Sequence, residues 1–362
     1  MKFTKEIIMG ITAKELAQKL NLSEAAISMA LNNKPGVSTK TRKKIIEEAK
    51  KYGYDFTRIK EKELPSQEQG TICFIVYRKN GALVPNSPIL THEDHGSSMP
   101  DTPFFSQLSE GISLSCKENH YRFHISYLYE GDDIAHQLQE LYRIGTSGLL
   151  LLGTEMEKHD LIPFANCNIP MVLLDNYFED LQISSVITNN IQGGYLATNH
   201  LIRKRHAQPG YLRSSYRSTS FEERADGFYK AIRRNGMSTS RSVVHDLSPT
   251  IDGAYSDMKE VLSQNVKPQL ANCYFADNDL IAAGAIRALT EAGYKIPEDI
   301  AIVGFDNMPL CTYITPTLTT IHVPKQYMGE IAVKQLVEMI KNPRISPVKI
   351  EVATSLKERK SC

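Results

Sequence analysis

From Thr71 onward the chain alternates short apolar runs with longer stretches of helical spacing, and then the alternation starts again. Ile72–Val76 suits a strand buried on both faces, Phe105–Glu118 repeats at helical spacing, and Phe123–Tyr127 is strand-like. Ile134–Ile144 is helical, and Gly148–Leu152 and Ile169–Asp175 read as further strands. After Val186-Ile187 the second series runs through a helix at Gly193–Ile202, a strand at Gly210–Leu212 and a helix at Glu222–Asn235. It closes with a strand at Asn272–Ala276, a helix at Leu280–Ala292 and a strand at Asp299–Asp306. Strand and helix in regular alternation predict an α/β body of two doubly wound, parallel-sheet subdomains with a crevice between them. Ligands of such sheets sit at the carboxyl ends of strands. Here those ends carry Asp175, Asp277-Asn278-Asp279 and Asp306-Asn307, which could accept hydrogen bonds from the hydroxyls of a polyol or the donors of a base.

The first 54 residues follow another pattern. Thr12 and Glu15 have capping-box spacing, and Leu16, Ala17 and Leu20 then share one helical face. Asn21-Leu22-Ser23 breaks the pattern, Ser23 is placed to cap a second helix, and Ile27, Ala30 and Leu31 give that helix its own apolar stripe. A third partner follows at Val37–Gly53, with Ser38 as cap and Ile45, Ile46, Ala49 and Tyr52 facing inward. Three such helices form a helix-turn-helix headpiece whose second helix would enter a DNA major groove.

Charge separates head from body. Residues 1–62 carry 14 Lys/Arg against 7 Asp/Glu, leaving 28 against 34 for the other 300 residues. A basic head on an acidic body is the electrostatic footprint of phosphate binding. Lys34, Lys40, Arg42, Lys43 and Lys44 cluster where the third helix begins, which suits DNA backbone contact. Between them, residues 55–70 are polar and lack a core-facing stripe, as in a linker.

Other classes fare worse. Ile7-Ile8-Met9 is too short for a secretory signal, and no run approaches the roughly 18 apolar residues of a membrane span, so a cytoplasmic protein is expected. The six cysteines are dispersed without a C-x-x-C pair, which favours reduced thiols over a disulfide framework or zinc site. No G-x-S-x-G, G-x-x-x-x-G-K or H-E-x-x-H is present, so an enzyme is not expected, and neither a metal nor a cofactor.

The ordered motifs resemble the LacI/GalR family of bacterial transcription regulators along nearly the whole chain. In the headpiece the likeness rests on Ile11-Thr-x-x-Glu-Leu-Ala17, Leu22-Ser-x-x-x-Ile-Ser-x-Ala-Leu-Asn32, Val37-Ser-x-x-Thr-Arg42 and Tyr52-Gly-Tyr54. In the body it rests on Pro103-Phe-Phe105, Ile169–Asp175, Asn189-x-x-x-Gly-Gly-Tyr195, Glu223-Arg-x-x-Gly-Phe228, Phe275–Gly284, Ile296–Asp306, Pro316-x-Leu-Thr-Thr-Ile321 and Met328-Gly329. The resemblance implies a homodimer that binds double-stranded operator DNA, usually as a repressor, with a small effector in the crevice of a periplasmic-binding-protein-like body. The chain would cross between subdomains near Thr188, Leu318 and Asn342–Ser346, giving 71–188 plus 318–343 and 189–317 plus 344–362.

Residue by residue, the family pattern would place Glu24 and Ala25 toward base edges with Ala26 behind them, and Thr12, Ser23, Ser28, Asn32 and Thr41 against phosphates, with Lys34 nearby. Met29 stands where the family often has arginine, and Ala26 where it often has threonine. In the crevice, Arg224, Asp306 and Asn278 match ligand-gripping positions, Asp175 ends its strand there, and Phe104 and Phe105 could stack on a ring. Asp279 is expected to cap the helix that starts at Leu280. Counted together, Asp175, Asn278 and Asp306 favour the many hydroxyls of a carbohydrate. A purine or other non-sugar effector, or an activator of the same build, is the alternative.

Two stretches depart from the family. The usual Pro-Asn and the minor-groove alanine and leucine of the hinge are replaced by Phe56, Thr57, Lys60 and Glu63, with Leu64 one residue late. A carboxylate there opposes the phosphates, so little central kinking of the operator is expected. Residues 78–102 are an insertion ahead of Phe104, a candidate lid at the crevice mouth. Its His92, Glu93, Asp94 and His95 fit a solvated loop better than a metal site, for no helix fixes them and no cysteine is near.

Overall fold

A computed structural model describes residues 11–31, 36–52, 54, 69–79, 103–263 and 269–362. The hinge residues Phe56–Leu64, Asn32, Lys34 and most of the 78–102 insertion, with its His92–His95 cluster, lie outside the described residues. The chain divides into two compact units, residues 1–68 and 69–362.

In the first unit, helices α1 (Ala13–Leu20), α2 (Glu24–Leu31) and α3 (Thr39–Lys51) enclose one small core. Leu16, Ala17, Ile27, Ala30, Leu31, Ile45 and Ala49 are its buried members, and Leu20 and Tyr52 pack at its edge. The local signals are in place. Thr12 and Glu15 form the capping box, with the Thr12 N–H donating to Glu15 Oε2 at 2.8 Å. Ser23 Oγ accepts from Ala26 N at 3.1 Å, and Ser38 Oγ from Thr41 N at 3.2 Å, so both expected caps form.

The second unit has two six-stranded sheets. The first takes β1 (Thr71–Arg78), β2 (Arg122–Tyr129), β3 (Thr146–Leu152), β4 (Met171–Leu174), β5 (Ser184–Thr188) and β11 (Lys349–Val352), in the order β11-β5-β4-β3-β1-β2 and parallel throughout. Every residue of β1, β4 and β5 is buried. That is why these stretches read as continuous apolar runs instead of alternating ones. Helices α4 (Pro103–Glu118), α5 (Ile134–Arg143) and α6 (Lys158–Ala165) belong to this lobe, and α11 (Lys325–Lys341) packs along α4.

The second sheet takes β6 (Gly210–Ser214), β7 (Val244–Leu247), β8 (Cys273–Ala276), β9 (Ala301–Asp306), β10 (Thr319–His322) and β12 (Ser355–Lys357), in the order β12-β10-β9-β8-β6-β7. It is parallel except for β12, which runs antiparallel to β10. Its helices are α7 (Asn190–Arg205), α8 (Thr219–Arg234), α9 (Ile251–Ser263) and α10 (Asp279–Glu291).

Strand pairing moves two of the expected crossings. Thr319–His322 pairs with β9, so the chain leaves the second lobe after His322 and not near Leu318. Lys349–Val352 pairs with β5, so the return follows Val352 and not residues 342–346. The reason is register: each short strand completes one more rung of the sheet it starts beside before the chain departs.

Candidate functional site

The carboxyl ends of the strands in both lobes converge on a cavity of about 110 Å³. Phe104, Phe105, Asp175, Arg224, Asn278 and Asp306 all line it. Arg224 is the organising side chain. A glycine on each of two helices seats it, because α7 and α8 touch where a Cβ on Gly194 would stand 2.3 Å from the Arg224 carbonyl oxygen, and one on Gly227 would stand 2.4 Å from that of Ile191. From the buried face of α8, Arg224 Nε donates to Asn190 Oδ1 at 3.0 Å, Nη1 to the Asp277 carbonyl at 2.6 Å and Nη2 to Asp306 Oδ1 at 3.2 Å. Its guanidinium carbon lies 3.8 Å from the Phe305 ring centroid.

The electrostatics are those of charge taken out of water. Burial raises the pKa of Asp306 even though Arg224 and Lys325 both pull it down. Burial also raises Asp175 to about 6, against the hydrogen bond from Thr154 Oγ1 to its Oδ2 at 2.8 Å. Asp175 and Asp306 both hold positive φ, at 60° and 102°, so each strand end turns sharply where its carboxylate meets the cavity. Lys325, at the start of α11, is buried; its ammonium donates to the Asp306 carbonyl and stands 5.6 Å from the Phe104 ring centroid. Phe104 and Phe105 meet edge to face, 6.2 Å between centroids, and both also pack against the hydrophobic core.

The expectation of several acidic strand ends facing the crevice needs correcting. Asp277 is turned inward, accepting from Ser214 N at 2.7 Å and from the Tyr211 hydroxyl. Asp279 does not cap α10: it accepts from Met308 N at 2.7 Å and Thr320 Oγ1 at 2.6 Å, and burial raises it to about 7. The cap is Asn278, whose Oδ1 accepts from Ile281 N at 2.8 Å, while Nδ2 reaches the Pro249 carbonyl at 3.5 Å. Asn307 is held by Arg359 and His322. For Asp277, Asn278 and Asp279 the reason is the same: a buried strand end leaves backbone donors to satisfy, and the nearest carboxylate or amide does so.

Thr154, Ser218, Ser220, Phe221, Leu280 and Met308 complete the lining and were not singled out from the sequence. Ser218 was legible as a helix cap, which it is, with Phe221 N donating to its Oγ at 3.3 Å. Among the described residues no group of His, Cys, Asp and Glu could hold a metal ion, and no helix is long and apolar enough to cross a membrane.

In the headpiece, Ser23, Glu24, Ala25 and Ser28 are exposed on or at the start of α2, while Ala26 and Met29 are half-buried. Gly36 (φ 114°) turns beneath Met29, close enough that a Cβ there would stand 3.0 Å from Met29 Sδ. Thr12 is committed to its capping box, its Oγ1 donating to Glu15 Oε2 at 2.8 Å, and Thr41 Oγ1 lies 2.7 Å from Ser38 Oγ. Arg42 also serves the fold: Nη1 reaches back to the carbonyls of Met29 (3.3 Å) and Ala30 (3.5 Å), capping the negative end of α2.

Similarity to known proteins agrees with both halves of this description. A periplasmic binding protein-like domain matches residues 198–362. The ribose operon repressor of Escherichia coli (strain K12) is 31% identical over 262 residues, which cover 72% of this chain and 78% of that protein. The chain belongs to the LacI/GalR family. The repressor PurR of Aliivibrio salmonicida is 28% identical over 333 residues, 91% of this chain and 92% of that one. A LacI family transcriptional regulator from Enterococcus faecalis V583, solved with bound ribose, superposes with a TM-score of 0.63 at 26% identity over 80% of this chain and 98% of that one. This family membership makes the chain a transcriptional regulator with a periplasmic-binding-protein-like body.

Proposed function

We propose that this LacI/GalR regulator is a cytoplasmic, homodimeric repressor, not an enzyme, whose affinity for operator DNA is set by a small neutral carbohydrate in the interlobe cavity. The observation that carries the reading is the convergence of Arg224, Asp306 and Asp175 with the hydroxyls of Thr154 and Ser220 and two phenyl rings on one cavity. Sugar hydroxyls both donate and accept. Asp175 and Asp306 offer acceptors, Arg224 a donor fork, and Phe104 and Phe105 an apolar face for the ring. Relatives named for a ribose operon, and one solved with ribose, support a sugar.

Effector binding would alter the angle between the lobes and through it the spacing of two headpieces, with a coupling of typically 1–3 kcal/mol. Glu24 and Ala25 on the exposed face of α2 would read base edges, with Ala26 behind, Ser23 and Ser28 on phosphates, and Met29 withdrawn onto Gly36. A purine effector is the second reading, favoured by the phenyl pair alone.

The test is a thermal-shift screen of monosaccharides, oligosaccharides and purines on wild type and Arg224→Ala. A saccharide should raise the wild-type melting point, fail to raise that of the variant, and release or tighten operator DNA in a mobility shift. A response to purines and to no saccharide would replace the sugar by a base.

A further inference from the structure

We propose that the C-terminal lobe carries a second, outer compartment of the effector site, which takes the second unit of an elongated neutral saccharide. The inference rests on the carbohydrate reading of the interlobe cavity and extends it. That cavity holds about 110 Å³, well below the roughly 300–1,000 Å³ usual for ligand pockets. Beside it lies a second concavity of about 510 Å³, lined by Arg213, Tyr216, Arg217, Phe221, Glu222 and Asp246, among others.

Phe221 lines both. They also meet along one stretch of chain: Ser214–Arg217 line the outer space, and the next residues, Ser218 and then Ser220 at the start of α8, line the inner one. A two-unit ligand laid along this stretch would pass Phe221 and reach from one compartment into the other. Tyr216, half-buried, stands on the loop that lines this outer space.

Its chemistry selects the ligand. Two arginines are balanced by two carboxylates, Asp246 and Glu222, so the compartment offers no net attraction to an anion or a cation. Arg213 and Asp246 form a planar fork, Nε to Oδ1 at 2.6 Å and Nη2 to Oδ2 at 2.9 Å, which leaves further donors and lone pairs pointing to solvent. Mixed donors and acceptors beside a phenol and a phenyl ring suit a pyranose or furanose unit, which presents hydroxyls at its rim and C–H groups on its face.

The experiment is calorimetry on the full-length chain with matched neutral probes: glucose against cellobiose and maltose, galactose against lactose, and ribose alone. At least one disaccharide should bind tenfold or more tightly than its own monosaccharide. Arg217→Ala, at an exposed position that the fold tolerates, and Tyr216→Ala should each cut that ratio by fivefold or more. Disaccharides that bind no better than their monosaccharides, or a ratio unmoved by both variants, overturn the outer compartment while the sugar reading stands. Binding of no saccharide at all overturns both, and the purine arm of the thermal-shift screen then separates that failure from the first.

Discussion

Tyr177, on the loop after β4, donates its hydroxyl to Glu223 Oε1 of α8 in the opposite lobe at 2.9 Å, while Glu223 Oε2 accepts from Asn190 Nδ2 at 3.0 Å. Its neighbours repeat the crossing. Thr219 Oγ1 donates to Asn176 Oδ1 at 2.9 Å, and Ser220 Oγ stands 3.5 Å from Asp175 Oδ1. Three consecutive residues of one lobe are thus tied to the first five residues of the helix that carries Arg224. A lobe angle that depends on these contacts is an element that an effector can bias.

Tyr177→Phe removes one of these bonds without changing shape. Glu223 keeps Asn190, so the loss should be about 1 kcal/mol, or roughly a fivefold change in apparent effector affinity. Melting temperature should fall by only a few degrees. Calorimetry with the saccharide that shifts the wild-type melting point checks it; unchanged affinity would mean the latch does not contribute to the closed form.

Arg224→Ala should be more damaging. It strips Asp306 of its nearest cation inside the protein and leaves Asn190 and the Asp277 carbonyl without their donor. Breaking a buried pair on one side costs about 3–5 kcal/mol. Denaturant unfolding should show a loss of that order, together with loss of the effector response. Because α2 belongs to the other compact unit, operator binding without effector should stay near wild type in a mobility shift.

The buried carboxylates set a pH dependence with a definite sign. Asp175 and Asp277 are raised by burial from 3.8 to about 6, and Asp279 to about 7. A carboxyl with a higher pKa in the folded chain holds its proton more tightly there. These groups therefore favour folding most below pH 4, and that contribution is lost as pH rises from about 4 to about 7. Asp279→Asn keeps an acceptor for Met308 N and removes one titration. Its melting temperature should change less between pH 5 and pH 7.5 than that of wild type, by roughly 2 °C or more. Parallel curves for the two proteins would refute the assignment.

Met29 is half-buried on α2, its thioether over Gly36. Met29→Arg should release that side chain toward phosphate and add one counterion-releasing contact. Fluorescence anisotropy across a salt series should then give a log–log slope steeper by about 0.9, with little change in the melting of the body. An unchanged slope would mean that position 29 does not face the backbone of DNA.

Much of the architecture was legible because its causes are local. Alternating runs announced two parallel sheets, and caps at Thr12, Ser23 and Ser38 announced the three helices, since each needs only a few neighbouring residues. The short strands β7, β10, β11 and β12 were not: their three or four residues mix polar with apolar, unlike the equally short but wholly apolar β4 and β8, and they form only where a neighbouring strand is there to pair with them. The cavity divides the same way. That Arg224, Asp306, Asp175 and Asn278 line one space followed from strand ends and family pattern, yet nothing in the sequence says that Asp277 and Asp279 turn away. That choice belongs to whichever backbone donors the fold buries beside them, Ser214 N and Met308 N. The inter-lobe bond of Tyr177 to Glu223 and the inward turn of Arg42 likewise join residues far apart in the chain. The sequence by itself determined which elements form and which residues carry charge into the crevice; the tertiary structure alone decided which of those charges serve the fold and which are left for a ligand, because a buried polar group bonds to whatever the packing brings within about 3 Å.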